Sequence, residues 1–194
     1  MAAPPRFMNS VYAQYHDEDT TKLVFLHAKG LSYPGYGDRH VMICWTNAPS
    51  PTPSSIAVST LNSEVAKHSI DVLTGTEGDE DAQAPVIQII QLTGQPGSYA
   101  FYHPVALSSR PQNLSIQETQ NQIFPLGYLT RAERNQFVEI AKAVKYDRRS
   151  VVNGCRVWTR DLLLDAARLG LLDEGTVKAV IEGVPLPVRR EEVE

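Results

Sequence analysis

The sequence predicts an α+β fold in which an antiparallel sheet meander comes first and two or three C-terminal helices follow. Two observations carry this. Short apolar runs rich in β-branched and aromatic residues fill the first half of the chain, bounded by Gly, Pro and Ser clusters. After residue 130 the apolar residues recur at helical spacing instead. Strands grouped ahead of helices favour α+β over alternating βαβ units.

Thr21–His27 (TKLVFLH) reads as the first strand and His40–Thr46 (HVMICWT) as the second. Alternation puts His40, Met42 and Cys44 on one side of the second strand and Val41, Ile43 and Trp45 on the other. Ile56–Leu61 and Ser69–Leu73 are weaker strands, and Val86–Leu92 is a strong one. Tyr99–Leu107 is a further strand, which Pro104 should distort or end, because proline cannot donate to a ladder. Long loops are expected at 47–55, 75–84 and 108–127. Thr130 followed by Glu133 is a capping box, opening a helix whose buried stripe is Phe137, Ile140, Ala141 and Val144. A second helix should run from about Gly154 to Leu169, burying Cys155, Trp158, Leu162, Ala166 and Leu169, with Gly170 just past its end. A third should start at Asp173 and end near Gly183. Residues 1–20 read as a partly mobile arm, 21–184 as one domain and 185–194 as a disordered tail.

The net charge of −4 disfavours a nucleic-acid partner: the Arg189-Arg190 pair is followed at once by Glu191-Glu192, so no basic stripe forms. No apolar run is long enough for a membrane span or a secretory signal. The expected setting is therefore cytoplasmic, with Cys44 and Cys155 as free thiols. No phosphate-binding, dinucleotide or paired-cysteine zinc motif is present, so no cofactor is expected. A zinc site at His40 and Cys44 is excluded by reach. Four strand residues at roughly 3.3 Å each separate them by about 13 Å, while zinc ligands lie within about 2.3 Å of the ion.

The segment Asn153-Gly154-Cys155-Arg156-Val157-Trp158 carries the sharpest chemistry. It places a cysteine in the first turn of an amphipathic helix, where the helix field favours the thiolate and free backbone N–H groups can hold an oxyanion. A cysteine nucleophile needs a base, and His40 is the candidate. His103, His68 or Asn153 would orient it. In the competing reading Cys155 is a small core residue, and the scaffold is a non-catalytic binding protein whose loops carry recognition.

The order of a strand-initial His40-Val41-Met42-Ile43-Cys44 and a later Asn153-Gly154-Cys155 helix start resembles the circularly permuted branch of the papain-like fold. Examples are the lecithin–retinol acyltransferase-like and PPPDE-type deubiquitinating or desumoylating families. The Gly-Cys-Arg-x-Trp helix start also resembles a group of uncharacterised fungal proteins. The resemblance spans roughly His27 to Leu172. It implies a cysteine-dependent hydrolase or acyl transferase acting on an acyl, ester or amide substrate, small or peptide-like. Two departures stand out: no second histidine follows His40 by about a dozen residues, and Gly154 separates Asn153 from Cys155.

Overall fold

The computed structural model describes residues 15–29, 40–47, 86–107 and 122–192. Among these residues six strands form one sheet: β1 (Lys22–Lys29), β2 (His40–Thr46), β3 (Val86–Thr93), β4 (Ala100–Tyr102), β5 (Val105–Leu107) and β6 (Gln122–Leu129). Their order is β4-β3-β2-β1-β6, with β5 also on β3, and every pairing is antiparallel. Three helices follow: α1 (Arg131–Ala143), α2 (Cys155–Arg168) and α3 (Glu174–Gly183). The α+β architecture read from the sequence is the observed one. The strands expected at 56–61 and 69–73, the loop at 75–84, and His68 lie outside the described residues.

Both faces of the central strands are buried. Val24, Leu26, Val41, Ile43, Trp45 and Ile90 point towards the helices and meet Phe137, Trp158, Leu162 and Ala166. Phe25, Met42, Cys44 and Ile87 form a second, smaller cluster on the other face. This is why β1 and β2 read as nearly unbroken apolar runs rather than alternating ones.

The expected strand from Tyr99 to Leu107 splits at His103-Pro104 into β4 and β5. The break is patched from β3. The Gln88 side chain donates to the carbonyls of His103 and Pro104 at 3.2 and 3.0 Å, and the Ile89 N–H donates to Pro104 at 2.9 Å.

The expectation of a loop over 108–127 fails for residues 122–127, which belong to β6. Pro125 and Gly127 argue for a loop in sequence, yet each suits an edge strand. Proline is tolerated where one side of the strand has no partner, and Gly127 (φ +147°) opposite Val24 adjoins a register shift. Pairing jumps from Val24–Gly127 to Phe25–Pro125, leaving Leu126 as the bulged residue, buried in the helix-side core.

The α1 capping box forms as the sequence implies: the Glu133 N–H donates to Thr130 Oγ1 at 3.3 Å, and the Thr130 N–H donates to the Glu133 carboxylate at 2.7 Å. On α2, Leu169 is 56% exposed and leaves the expected stripe, because it is the C-cap residue beyond the last turn. Asp173 caps α3 by accepting from the Thr176 N–H at 2.7 Å.

Two polar ties hold segments that the sequence marks as arm and tail. Arg134, 1% exposed, donates from Nε and Nη2 to the two Asp17 oxygens at 2.8 and 2.9 Å, and also to the carbonyls of Thr20, Glu18 and Leu129. Lys22 adds a second cation 2.9 Å from Asp17. Residues 185–192 are likewise not a disordered tail. Leu186 is buried and donates its N–H to the Ile181 carbonyl, and Asn153 clasps Arg190.

Candidate functional site

Cys155 is the first residue of α2, with Gly154 as N-cap. Its side chain is partly buried against the helix-side core, and the sulfur takes a hydrogen bond from the Val41 N–H of β2. Glycine at 154 has a steric reason rather than a conformational one: a Cβ there would lie 2.6 Å from the Tyr99 hydroxyl oxygen and 3.2 Å from its ring. Tyr99 is only 8% exposed and has little room to retreat. Gly154→Ala should therefore destabilise the fold by about 1–3 kcal/mol through overpacking. Denaturant titration would register this as a lower midpoint, and an unchanged midpoint would mean that Tyr99 moves freely.

The thiol does not behave as the helix-start argument expects. Burial pushes its pKa up. The Val41 N–H, the Arg156 charge and the N–H groups of Arg156 and Cys155 pull the other way without cancelling that effect. At neutral pH the resting sulfur is a thiol. Cys44, fully enclosed, is pushed up to about 12, mainly by burial, and both cysteines are free.

His40 opens β2. Its Nε2 lies 2.5 Å from Gln91 Oε1, on β3. A carbonyl oxygen only accepts, so Nε2 is the donor in this contact, which in the neutral ring leaves Nδ1 as the acceptor. This tautomer has the form a general base needs. Gln91 escaped the sequence reading; the only signal was a polar residue inside the strong strand VIQIIQL. His27, on the neighbouring strand and within electrostatic reach of His40, has its pKa pushed down to about 4, first by burial and then by Lys29 and His40, so it is neutral at pH 7.

The register qualifies the expected dyad. His40 and Gln91 alternate with Val41, Ile90 and Leu92, so they share the face of Met42 and Cys44, whereas Cys155 packs on the helix side. The β2–β3 ladder ends at Ile43–Ile90. Beyond that point Cys155 reaches the backbone next to His40. Among the described residues no hydrogen bond joins the thiol to the imidazole.

The other two candidates serve elsewhere. Asn153, 2% exposed, donates to the Arg190 carbonyl at 2.7 Å and to Glu192 Oε1 at 2.8 Å, and accepts from the Arg190 N–H at 2.9 Å. Its amide is spent on the C-terminal segment and does not orient His40. The His103 ring stacks on Phe101 at 6.2 Å, and Phe101 tilts against Trp158 at 5.9 Å. Tyr99 and Phe101 thus face the helices, as alternation implies. Burial lowers the His103 pKa and Lys142 adds to that, while Glu139 opposes it, which places His103 beside α1.

Among the described residues no group of three or more His, Cys, Asp or Glu side chains could hold a metal ion, and no helix is long and apolar enough to cross a membrane. No protein-family model, no curated protein and no solved structure matches the chain.

Proposed function

We propose that this protein is a thiol-dependent hydrolase or acyl transferase, with Cys155 as nucleophile and His40 as base. The observation that carries the reading is the corner where α2 begins. There the Cys155 sulfur accepts from the Val41 N–H, one residue from His40, and Gln91 Oε1 accepts from the His40 ring. In the reaction, His40 Nδ1 takes the thiol proton as sulfur attacks the acyl carbon of an ester or amide. The backbone N–H groups at the start of α2 are suited to the developing oxyanion. The leaving group departs with the proton from the imidazolium, leaving a thioester on Cys155. Water, or an acceptor hydroxyl or amine, then attacks the thioester and restores the thiol. Proton transfer requires the His40 ring to turn towards the thiol past the end of the β2–β3 ladder. An interior, reducing compartment suits a free nucleophilic cysteine.

The test is a single-turnover reaction with an activated aryl ester such as p-nitrophenyl acetate. Wild-type protein should release a burst of phenolate stoichiometric with enzyme, and Cys155→Ala should abolish it. A burst that survives in Cys155→Ala would sink the reading.

A second reading is favoured by the raised thiol pKa and by the opposite faces of His40 and Cys155. In it the chain is a non-catalytic interaction protein, and Cys155 is a packing residue at the helix start. Iodoacetamide separates the two: labelling of a packing thiol is indifferent to His40→Ala, whereas labelling of a base-assisted nucleophile slows.

A further inference from the structure

A groove of about 380 Å³ lies between the end of α1 and the outer face of α2, lined by Val144, Lys145, Asp161, Leu164, Asp165 and Arg189. The last of these comes from the chain's own C-terminal segment. Arg189 Nε donates to Asp161 Oδ2 at 2.8 Å, and its Nη2 donates to the Lys145 carbonyl at 2.7 Å, just past the carbonyl end of α1. One residue on, Asn153 takes both the N–H and the C=O of Arg190. Asn153 also donates to Glu192 Oε1 at 2.8 Å, so its amide holds the Arg190 backbone and a carboxylate two residues on, while Asp161 and the helix end select a cation at the preceding position.

Beyond Leu186 this segment buries little: Val188 is 62% exposed, and 189–192 are exposed throughout. It has neither helix nor strand structure there. Departure of the segment uncovers little apolar surface and frees the donor and acceptor of the Asn153 amide for the backbone of a replacement peptide. Asp165 lines the same groove, and among the described residues its carboxylate is otherwise engaged only by the exposed Arg168, a weak tie.

We propose that this groove is a docking site for an extended, arginine-bearing peptide of a partner protein, which displaces residues 187–192 as the occupant in cis. An arginine of the partner takes the place of Arg189, its next residue is clasped by Asn153, and a neighbouring basic side chain reaches Asp165. The groove shares no residue with the proposed thiol chemistry, so the two are tested by separate readouts.

The probe is a fluorescein-labelled peptide of residues 185–192, titrated by anisotropy into the full-length chain. Wild type should bind weakly, because the tethered segment competes at an effective concentration on the order of millimolar. Arg189→Glu loosens that segment and should bind the peptide at least tenfold more tightly than wild type. Asp161→Arg should lose binding, and so should the Arg189→Glu chain when offered a peptide with Glu in place of its first arginine. The peptide arm needs no folded variant beyond Arg189→Glu, an exposed change checked by circular dichroism. Equal binding by wild type and Arg189→Glu, or equal binding of the two peptides, would overturn the proposal and leave the groove as packing for the chain's own tail.

Discussion

Arg134→Met should lower the free energy of unfolding by about 3–5 kcal/mol, the range for removing one partner of a buried ion pair. The guanidinium is 1% exposed, and Nε, Nη1 and Nη2 all donate to Asp17 or to backbone carbonyls. Without it the Asp17 carboxylate keeps only Lys22 among the described residues, and three backbone carbonyls lose a charged donor. Urea unfolding would read the loss as a lower midpoint; a loss under about 1 kcal/mol would mean that water replaces these contacts freely. The same network sets an acid limit. Burial alone would raise the Asp17 pKa, but its hydrogen bonds to Arg134 and Lys22 and their charges hold it below 3.8. A depressed folded value contributes stability above the unfolded pKa and loses it as pH falls through the folded one. Wild-type stability should therefore fall more steeply below about pH 4 than that of Asp17→Asn.

His40→Ala should slow acylation of Cys155 by about 10²- to 10⁴-fold, the usual span of general-base assistance. The size follows from the thiol: burial raises its pKa above the ordinary 9.0, so few molecules hold a ready thiolate at neutral pH, and the proton must leave during attack. Direct alkylation of Cys155 should accordingly keep accelerating as pH rises past 9, with no plateau near neutrality. A plateau near pH 6–7 would instead mean a pre-formed thiolate–imidazolium pair. Gln91→Ala should leave acylation within a few-fold of wild type, because the ring must leave Gln91 before it can reach the thiol.

What the sequence displayed and what it hid divide along the range of the interactions. The capping box at Thr130 and Glu133, the caps at Asp173 and Gly170, and the break at Pro104 depend on neighbours in the chain, and each occurs where the pattern places it. β6 was illegible because Pro125 and Gly127 count against a strand until its position at a sheet edge is known. Arg134 stands outside the apolar stripe that spacing marks on its helix; its burial is set with Asp17, 117 positions earlier. The site divides the same way. Cys155 at a helix start follows from local spacing, whereas its raised pKa depends on the sheet packed against it. Asn153 looked catalytic because of where it stands, yet its amide is committed to Arg190, 37 residues on. Gln91 becomes visible only once β3 is laid against β2.

The central claim is that Cys155 is a nucleophile and not merely a packed thiol. It is tested most directly by finding where an acyl group lands. The protein is exposed briefly to the aryl ester at neutral pH, quenched in acid and digested, and the acyl mass is assigned to a peptide. Cys44, fully buried with its thiol pushed up to about 12, is the internal control. The account predicts one acyl group on the peptide carrying Cys155, none on Cys44, and little on either in His40→Ala. An unmodified Cys155, or a Cys155 acylated equally fast without His40, would contradict it.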